Sequence, residues 1–373
     1  MIIRRLLLRR MCKQCQFQKY RDYTSEGISL KGRDFITLNQ FTPTELQKLL
    51  WTALDLKQMA LDKKFTEVLR GKCLSLVTDV PSMRTKASVC HGMTMAGGSV
   101  INLTYDDLGQ VELGEGLMVI KTEDDNEYEE DAKEDVNNEN GRSLGALGDA
   151  IAARSSSQGL LDRLAADSSV PVINMSSDLF HPIKALSYLV TWLEEFKYLS
   201  RLNVTWVGQN CNLLNSLMFG CGLTGVKFQI CTPVGYEPDP FVLSQAFRSV
   251  ASTHTELNLI QDFMKAIHKS DVVVCGAWNN VPEKKEKDRR KEDFKHFRLT
   301  ESVLREKTSR CKVMHQLPWS EVEITKELMF NQDSLTWKEI ENRKFAAMAV
   351  LVNVLGDYRL TLPEPTFDLS HKH

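Results

Sequence analysis

Ser82, Arg84 and Thr85 stand where an apolar run, Cys73 to Val77, breaks at Asp79-Val80-Pro81. Two hydroxyls, one guanidinium and the free N–H groups of a helix start would form an anion cradle suited to a phosphate. Ser-x-Arg-Thr alone is a weak signal, and a solvated loop produces the same tetrapeptide. Other polar clusters punctuate the chain at Arg154, Asn174, Asn212, Trp278 to Asn280 and His315 to Pro318. Singly, each has a plain structural explanation. Arg154 reads as a surface arginine, His181 as a helix-start residue, and Arg343 as an ion-pair partner of Glu339. Cys12-x-x-Cys15 has no second pair to complete a zinc site.

These clusters need elements to position them, and the apolar pattern supplies them. Phe41-Thr42-Pro43-Thr44-Glu45 predicts a helix start, with Thr42 as cap, Pro43 at the first position and Glu45 closing a capping box. Cys73–Val77, Ser99–Leu103, Gly148–Ala153 and Val170–Asn174 read as buried strands, and Lys86–Met95 as a helix after the Ser82 loop. A long helical pattern, Ile183 to Leu199, follows His181-Pro182. A second alternation then begins. Strands are expected at Asn203–Val207, Lys227–Cys231, Asp271–Ala277 and Lys312–His315, with helices at Asn212–Gly220, Pro240–Thr253 and Leu257–Ser270 between them. Glu339–Leu355 forms a last helix. Buried strands alternating with helices mean parallel βαβ units. The fold class is therefore α/β: two domains, each a parallel sheet flanked by helices, joined by interdomain helices. Ligands of such sheets bind beyond the carboxyl ends of the strands, where the polar clusters lie.

The chain has 373 residues and a formal charge of −2. That balance hides unlike parts. Residues 1–21 hold seven basic residues and no acid, whereas residues 121–140 hold ten acids and two lysines. The remaining body is close to neutral, which argues against a nucleic-acid binder. The leader, Arg-rich with interleaved Leu and Ile, has the pattern of a mitochondrial transit peptide; a disordered basic tail is the alternative. No run approaches the roughly 18 apolar residues of a membrane span. Nine scattered cysteines suit a reduced compartment such as the mitochondrial matrix. The acidic stretch is too charged to pack and reads as a solvated insertion. Lys284 to Lys291 reads as a solvated helix face.

Several segments, in order, resemble the ornithine carbamoyltransferases within the wider aspartate/ornithine carbamoyltransferase group. Arg33-Asp34-Phe35-Ile36-Thr37-Leu38 is like that family's opening, and Ser82-Met83-Arg84-Thr85-Lys86 is similar to its Ser-Thr-Arg-Thr-Arg. Asp149 to Arg154 resembles the stretch whose arginine reaches carbamoyl phosphate. His181-Pro182-Ile183-Lys184 resembles His-Pro-x-Gln, and His315-Gln316-Leu317-Pro318 resembles His-Cys-Leu-Pro. Asn212 to Ser216 and Glu341 to Lys344 complete the set, from about Gly32 to about Asp357.

The resemblance implies transfer of a carbamoyl group from carbamoyl phosphate to ornithine, giving citrulline and phosphate. It implies no metal and no organic cofactor, a homotrimer, and neither nucleic acid nor membrane as partner. It further implies that Ser82, Arg84 and Thr85 hold the phosphate and that Arg154 and His181 polarise the carbonyl as the catalytic pair. Leu317 would offer its backbone carbonyl beside a cis Leu317-Pro318 bond, Arg343 would approach from the last helix, and Asn212 would contact ornithine. The implied organisation is a leader at 1–31, a carbamoyl-phosphate-binding domain at 32–184 carrying the acidic insertion 121–140, and an interdomain helix at 185–200. An ornithine-binding-type domain at 201–338, a C-terminal helix at 339–358 that packs back on the first domain, and a tail at 359–373 complete it.

The sequence departs from the family's pattern in places that matter. Met83 replaces threonine, Lys86 arginine, Lys184 glutamine and Gln316 cysteine, and Trp319 follows the proline where a polar residue is common. The aspartate expected to hold the ornithine α-amine is Gly276, and the Ser-Met-Gly of the mobile loop is Asn280-Val281-Pro282. Loss of one charge-assisted bond to the amine weakens binding by roughly 1.5–3 kcal/mol. Gln110 is a weak match to a residue donated across a subunit contact. Two readings follow. One is a mitochondrial ornithine carbamoyltransferase with weak or altered amino-acid use. The other is an inactive paralogue that keeps the fold and an anion site and acts by binding or assembly.

Overall fold

The computed structural model describes residues 28–64, 67–79, 81–104, 107, 139–279, 283–307, 311–356 and 358–361, without the Ser252 side chain. Most of the expected leader, most of the acidic insertion, Gln110, the Asn280-Val281-Pro282 stretch and most of the tail lie outside these residues.

Two parallel sheets form the frame. The first contains β1 (Cys73–Thr78), β2 (Ser99–Thr104), β3 (Ala150–Arg154) and β4 (Val172–Ser176), in the order β2-β1-β3-β4. The second contains β5 (Asn203–Val207), β6 (Lys227–Cys231), β7 (Leu257–Leu259), β8 (Val272–Cys275) and β9 (Lys312–His315), in the order β7-β6-β5-β8-β9. The interior strands are apolar on both faces because helices cover both faces. In each sheet the strand order reverses once, between β1 and β3 and between β5 and β8. The carboxyl ends at those reversals form the natural ligand crevice.

The helices that matter for that crevice are α1 (Pro43–Leu61), α2 (Met83–Met95), α3 (Gln158–Asp167), α4 (Pro182–Phe196), α5 (Asn212–Thr224) and the final α11 (Thr336–Leu355). α1 starts as the sequence predicts. Thr42 accepts from the Glu45 N–H, Glu45 accepts from the Thr42 N–H, and Pro43 fills the first position. α11 packs on α1, α2 and α4, and of these α2 and α4 lie against the first sheet. Gly92 permits the close approach of α2 to α11. A Cβ there would lie 3.0 Å from the Lys344 carbonyl oxygen and 3.0 Å from the Met348 nitrogen. One continuous core, with Tyr188, Trp192 and Trp206 fully buried in it, runs from the first sheet through α4 and α11 to the second sheet.

Four expectations need correction. Leu257–Ser270 is not one helix. Leu257–Leu259 pairs in parallel with β6, and only Phe263–Ala266 is helical, capped by Asp262. The strand wins because Leu257 extends the apolar row of β6 into the sheet edge. The interdomain helix runs from Pro182 to Phe196 rather than to Leu199, since Lys197 turns left-handed at φ 74°. α2 begins at Met83 rather than Lys86, and α11 begins at Thr336 rather than Glu339. The expected Lys284 to Lys291 helix face is present as Lys284–Asp293, with no buried residue. Among the described residues no helix is long and apolar enough to cross a membrane.

Candidate functional site

The early start of α2 draws the first polar cluster into the opening turn of the helix. Ser82 is the residue before the helix, and the Lys86 N–H donates to the Ser82 carbonyl as the first intrahelical bond. The N–H groups of Met83, Arg84 and Thr85 therefore have no acceptor inside the helix. Ser82 Oγ donates to Thr85 Oγ1 at 3.1 Å instead of capping the backbone. Arg84 is half-buried in this first turn, Thr85 is buried, and Met83 points outward with 79% exposure. The positive end of the helix dipole, a guanidinium and two hydroxyls share one spot.

Arg154 closes β3 beside it. Burial lowers its guanidinium from the ordinary value; the Asp79 carboxylate offsets part of this and Arg84 adds to it. Asp79 is fixed by the Ser156 backbone N–H at 2.7 Å and its hydroxyl at 3.0 Å. His181 precedes α4 and is buried, with a side-chain Nδ1 that has no hydrogen-bond partner. Burial holds it well below the usual histidine range, and the charges of Lys184, Arg343 and Arg154 act in the same direction. A neutral imidazole is the resulting form. It can donate to a carbonyl oxygen without carrying a charge of its own.

One helical turn later, Lys184 is 6% exposed, and its Nζ donates to the Gln316 carbonyl at 2.7 Å. Burial first, then the charge of Arg343, lowers its ammonium to about 7. Arg343 lies on α11 and is held by both oxygens of Glu339, at 2.9 Å from Nε and 2.6 Å from Nη2. Burial works against its charge, but Glu339 outweighs burial and the pKa is raised. Ser187 also donates to Glu339. The ion-pair role open to Arg343 from sequence is thus realised, and its guanidinium still adds positive charge beside His181 and Lys184.

The second sheet contributes from β5, β8 and β9. Asn212, first residue of α5, donates its amide to Ser177 O at 2.6 Å and Ser176 Oγ at 3.2 Å. Ser216 accepts from the His181 N–H at 2.8 Å, and Asn215 donates to Leu179 O at 3.0 Å. α5 is therefore stitched to the segment that leads from β4 into His181. Leu317 has a left-handed φ of 62° and is followed by the expected cis bond to Pro318. Its N–H donates to His315 Nδ1 at 2.9 Å, and His315 Nε2 lies 2.9 Å from Glu323 Oε2. Since Nδ1 accepts, Nε2 carries the proton in the neutral ring and donates to Glu323. Glu323 also takes the Asn279 N–H at 2.6 Å.

The region expected to hold the amino acid is filled differently. A Cβ on Gly276 would meet Trp206 Cζ2 at 2.7 Å. Gln316 Oε1 accepts from the Ala277 N–H at 3.1 Å and from the Cys211 thiol at 3.6 Å. Trp278 stacks on Phe294 at 4.7 Å, and Arg290 donates to the Trp278 carbonyl at 3.1 Å. The 276–279 segment is therefore anchored by its backbone and rings and offers no carboxylate of its own. Arg84, Arg154, His181, Lys184, Leu317, Arg343 and Asn212 all gather at the strand ends between the sheets. Sequence reasoning gave no role to Asp79, Cys211 and Glu323. Lys184 showed only as a charge in a glutamine's place, Cys211 sat unnoticed beside Asn212, and nothing in the spacing marked Glu323 as the partner of His315.

Residues 33–194 match the family model described as the aspartate/ornithine carbamoyltransferase carbamoyl-P binding domain, and residues 200–354 match the Asp/Orn binding domain of the same family. The mitochondrial ornithine transcarbamylase of Gallus gallus is 33% identical over 342 residues, covering 91% of each chain. An ornithine carbamoyltransferase of Nostoc punctiforme is 33% identical over 329 residues, covering 88% of this chain and 99% of the relative. The solved ornithine carbamoyltransferase of Pyrococcus furiosus superposes with a TM-score of 0.79 at 29% identity, covering 89% of this chain and 100% of that one. A mitochondrial ornithine carbamoyltransferase from Coccidioides immitis gives 0.74 at 26% identity, covering 86% and 97%.

Proposed function

The chain belongs to the aspartate/ornithine carbamoyltransferase family, as a divergent member of the ornithine carbamoyltransferases, and from that premise we propose that it binds carbamoyl phosphate while handling ornithine weakly. The supporting observation is the contrast between the two halves of the crevice. The charge of Arg84 acts on Arg154 and that of Arg154 on His181, whereas position 276 has no room for a side chain.

On this reading the first turn of α2 receives the phosphate. Ser82, Arg84 and Thr85 bind its oxygens, with the free amides adding directed donors. Arg154 and neutral His181 donate to the carbamoyl carbonyl, where negative charge grows as an amine attacks. The Leu317 carbonyl accepts from the carbamoyl NH₂, and its position is set by the His315–Glu323 relay. Arg343, held by Glu339, supplies positive potential rather than a free fork. Asn212 borders the amino-acid side, with its amide already given to Ser176 and Ser177. No metal or organic cofactor is required by these steps. The Arg-rich leader supports import into mitochondria, as do the names of two relatives, and the family supports a homotrimer.

A second reading is favoured by the crowding at Gly276 and the anchoring of residues 276–279: an anion-binding protein without transfer activity. An assay with carbamoyl phosphate and a panel of amines, ornithine included, separates the two. Weak citrulline formation, or transfer to another amine, supports the first. No transfer to any amine supports the second. Citrulline formation as fast as that of the Pyrococcus furiosus relative contradicts a depleted ornithine side.

A further inference from the structure

We propose that Lys184 is itself a carbamoyl acceptor: its Nζ takes the carbamoyl group of carbamoyl phosphate and becomes a ureido side chain. This rests on the reading that carbamoyl phosphate occupies the crevice.

The placement carries the argument. Lys184 Nζ lies 2.7 Å from the carbonyl of Gln316, the residue before Leu317, and one helical turn beyond His181. An amine there borders the spot where the carbamoyl carbon would be held between His181 and Leu317. Among the described residues Lys184 forms no ion pair, and Glu339, the acid that acts on it, is already shared by Arg343 and Ser187. Burial beside Arg343 brings its ammonium to about 7, so much of it is the free amine near neutrality. Gly276 leaves the opposite side without the carboxylate that would seat a competing α-amino acid.

The step balances without any further reagent. The Nζ lone pair forms a bond to the carbamoyl carbon, the carbon–oxygen bond to phosphate breaks, and its electron pair leaves on the phosphate. One proton passes from the amine to that phosphate. Lysine becomes a neutral side chain ending in –CO–NH₂, the same terminal group as the glutamine in the His-Pro-x-Gln pattern that this segment resembles. The side chain can no longer take up a proton, so no positive charge can form at this position beside His181 and Arg343.

The test incubates the purified protein with carbamoyl phosphate at neutral pH, maps carbamoylated lysines by peptide mass spectrometry, and measures binding of the same ligand by calorimetry. A parallel sample receives cyanate, the reactive breakdown product of carbamoyl phosphate, at equal concentration. Lys184 is expected to be labelled at least about tenfold faster than exposed lysines, as a held reactant requires. Excess inorganic phosphate should suppress that labelling but not the labelling of surface lysines. Lys184→Gln should bind carbamoyl phosphate and gain no mark at this position. Binding without labelling of Lys184, or labelling that cyanate reproduces at the same rate despite phosphate, overturns the proposal and leaves the site reading intact. Absence of binding overturns both.

Discussion

The ring of Trp206 occupies the space that a side chain at Gly276 would need, with Cζ2 only 2.7 Å from an added Cβ. Trp206 is fully buried in the second sheet, so it cannot swing aside as a flexible surface chain would. The missing carboxylate is therefore more than a one-letter change. Gly276→Asp should fail to improve ornithine binding and should destabilise the fold by about 1–3 kcal/mol through overpacking. Denaturant unfolding and ornithine titration check this. A variant of unchanged stability with tightened ornithine affinity would show that the pocket is intact.

Glu323 joins the two loops that end β8 and β9. Truncating it strands the His315 Nε2–H and the Asn279 N–H in a buried setting. Glu323→Ala should cost roughly 2–6 kcal/mol, taking about 1–3 for each orphaned donor. It should also weaken carbamoyl phosphate binding, because the imidazole that fixes the Leu317 backbone loses its own anchor. Thermal melts with and without the ligand read both effects, and a melt equal to that of the unaltered protein would refute the relay.

Arg84 sets a charge directly among the free amides of the first turn of α2. Arg84→Ala should lower carbamoyl phosphate affinity by about 10- to 100-fold, corresponding to one charge-assisted contact of roughly 1.5–3 kcal/mol. Affinity that survives the change would misplace the anion cradle.

Lys184 makes stability depend on pH in a definite direction. Its folded-state value, about 7, lies below the ordinary lysine value, so the unfolded chain holds more protons between roughly pH 7 and 10. Stability from this group therefore rises with pH across that window, and the burden is largest below pH 7. Lys184→Gln removes the burden. The variant should exceed the unaltered protein by on the order of a few kcal/mol at pH 6, with the gap closing toward pH 10. Urea unfolding at several pH values tests this, and a gap that widens with pH would reverse the assignment.

Much of the frame was legible because its signals are local. Thr42, Pro43 and Glu45 announce a helix start by themselves, and the runs at β5, β6 and β9 are bounded by polar residues at both ends. β7 was not legible. Three residues joined to a sheet edge have no period to read, and the sheet alone decides their conformation. The start of α2 was missed because Met83-Arg84-Thr85 suits a loop as well as a helix turn. Within the crevice, residue types and their order pointed to Arg154, His181 and Leu317. Lys184 and Glu323 became intelligible only through tertiary neighbours: one lies 132 positions from its acceptor, and the other pairs with a ring eight residues away across a cis turn.

The central claim is an asymmetry between the two halves of one crevice, and isothermal calorimetry with each ligand measures it most directly. The account predicts saturable heat with carbamoyl phosphate alone, and little or no heat with ornithine even after the first ligand is bound. Tight ornithine binding to the carbamoyl phosphate complex, or no heat with carbamoyl phosphate, would contradict it.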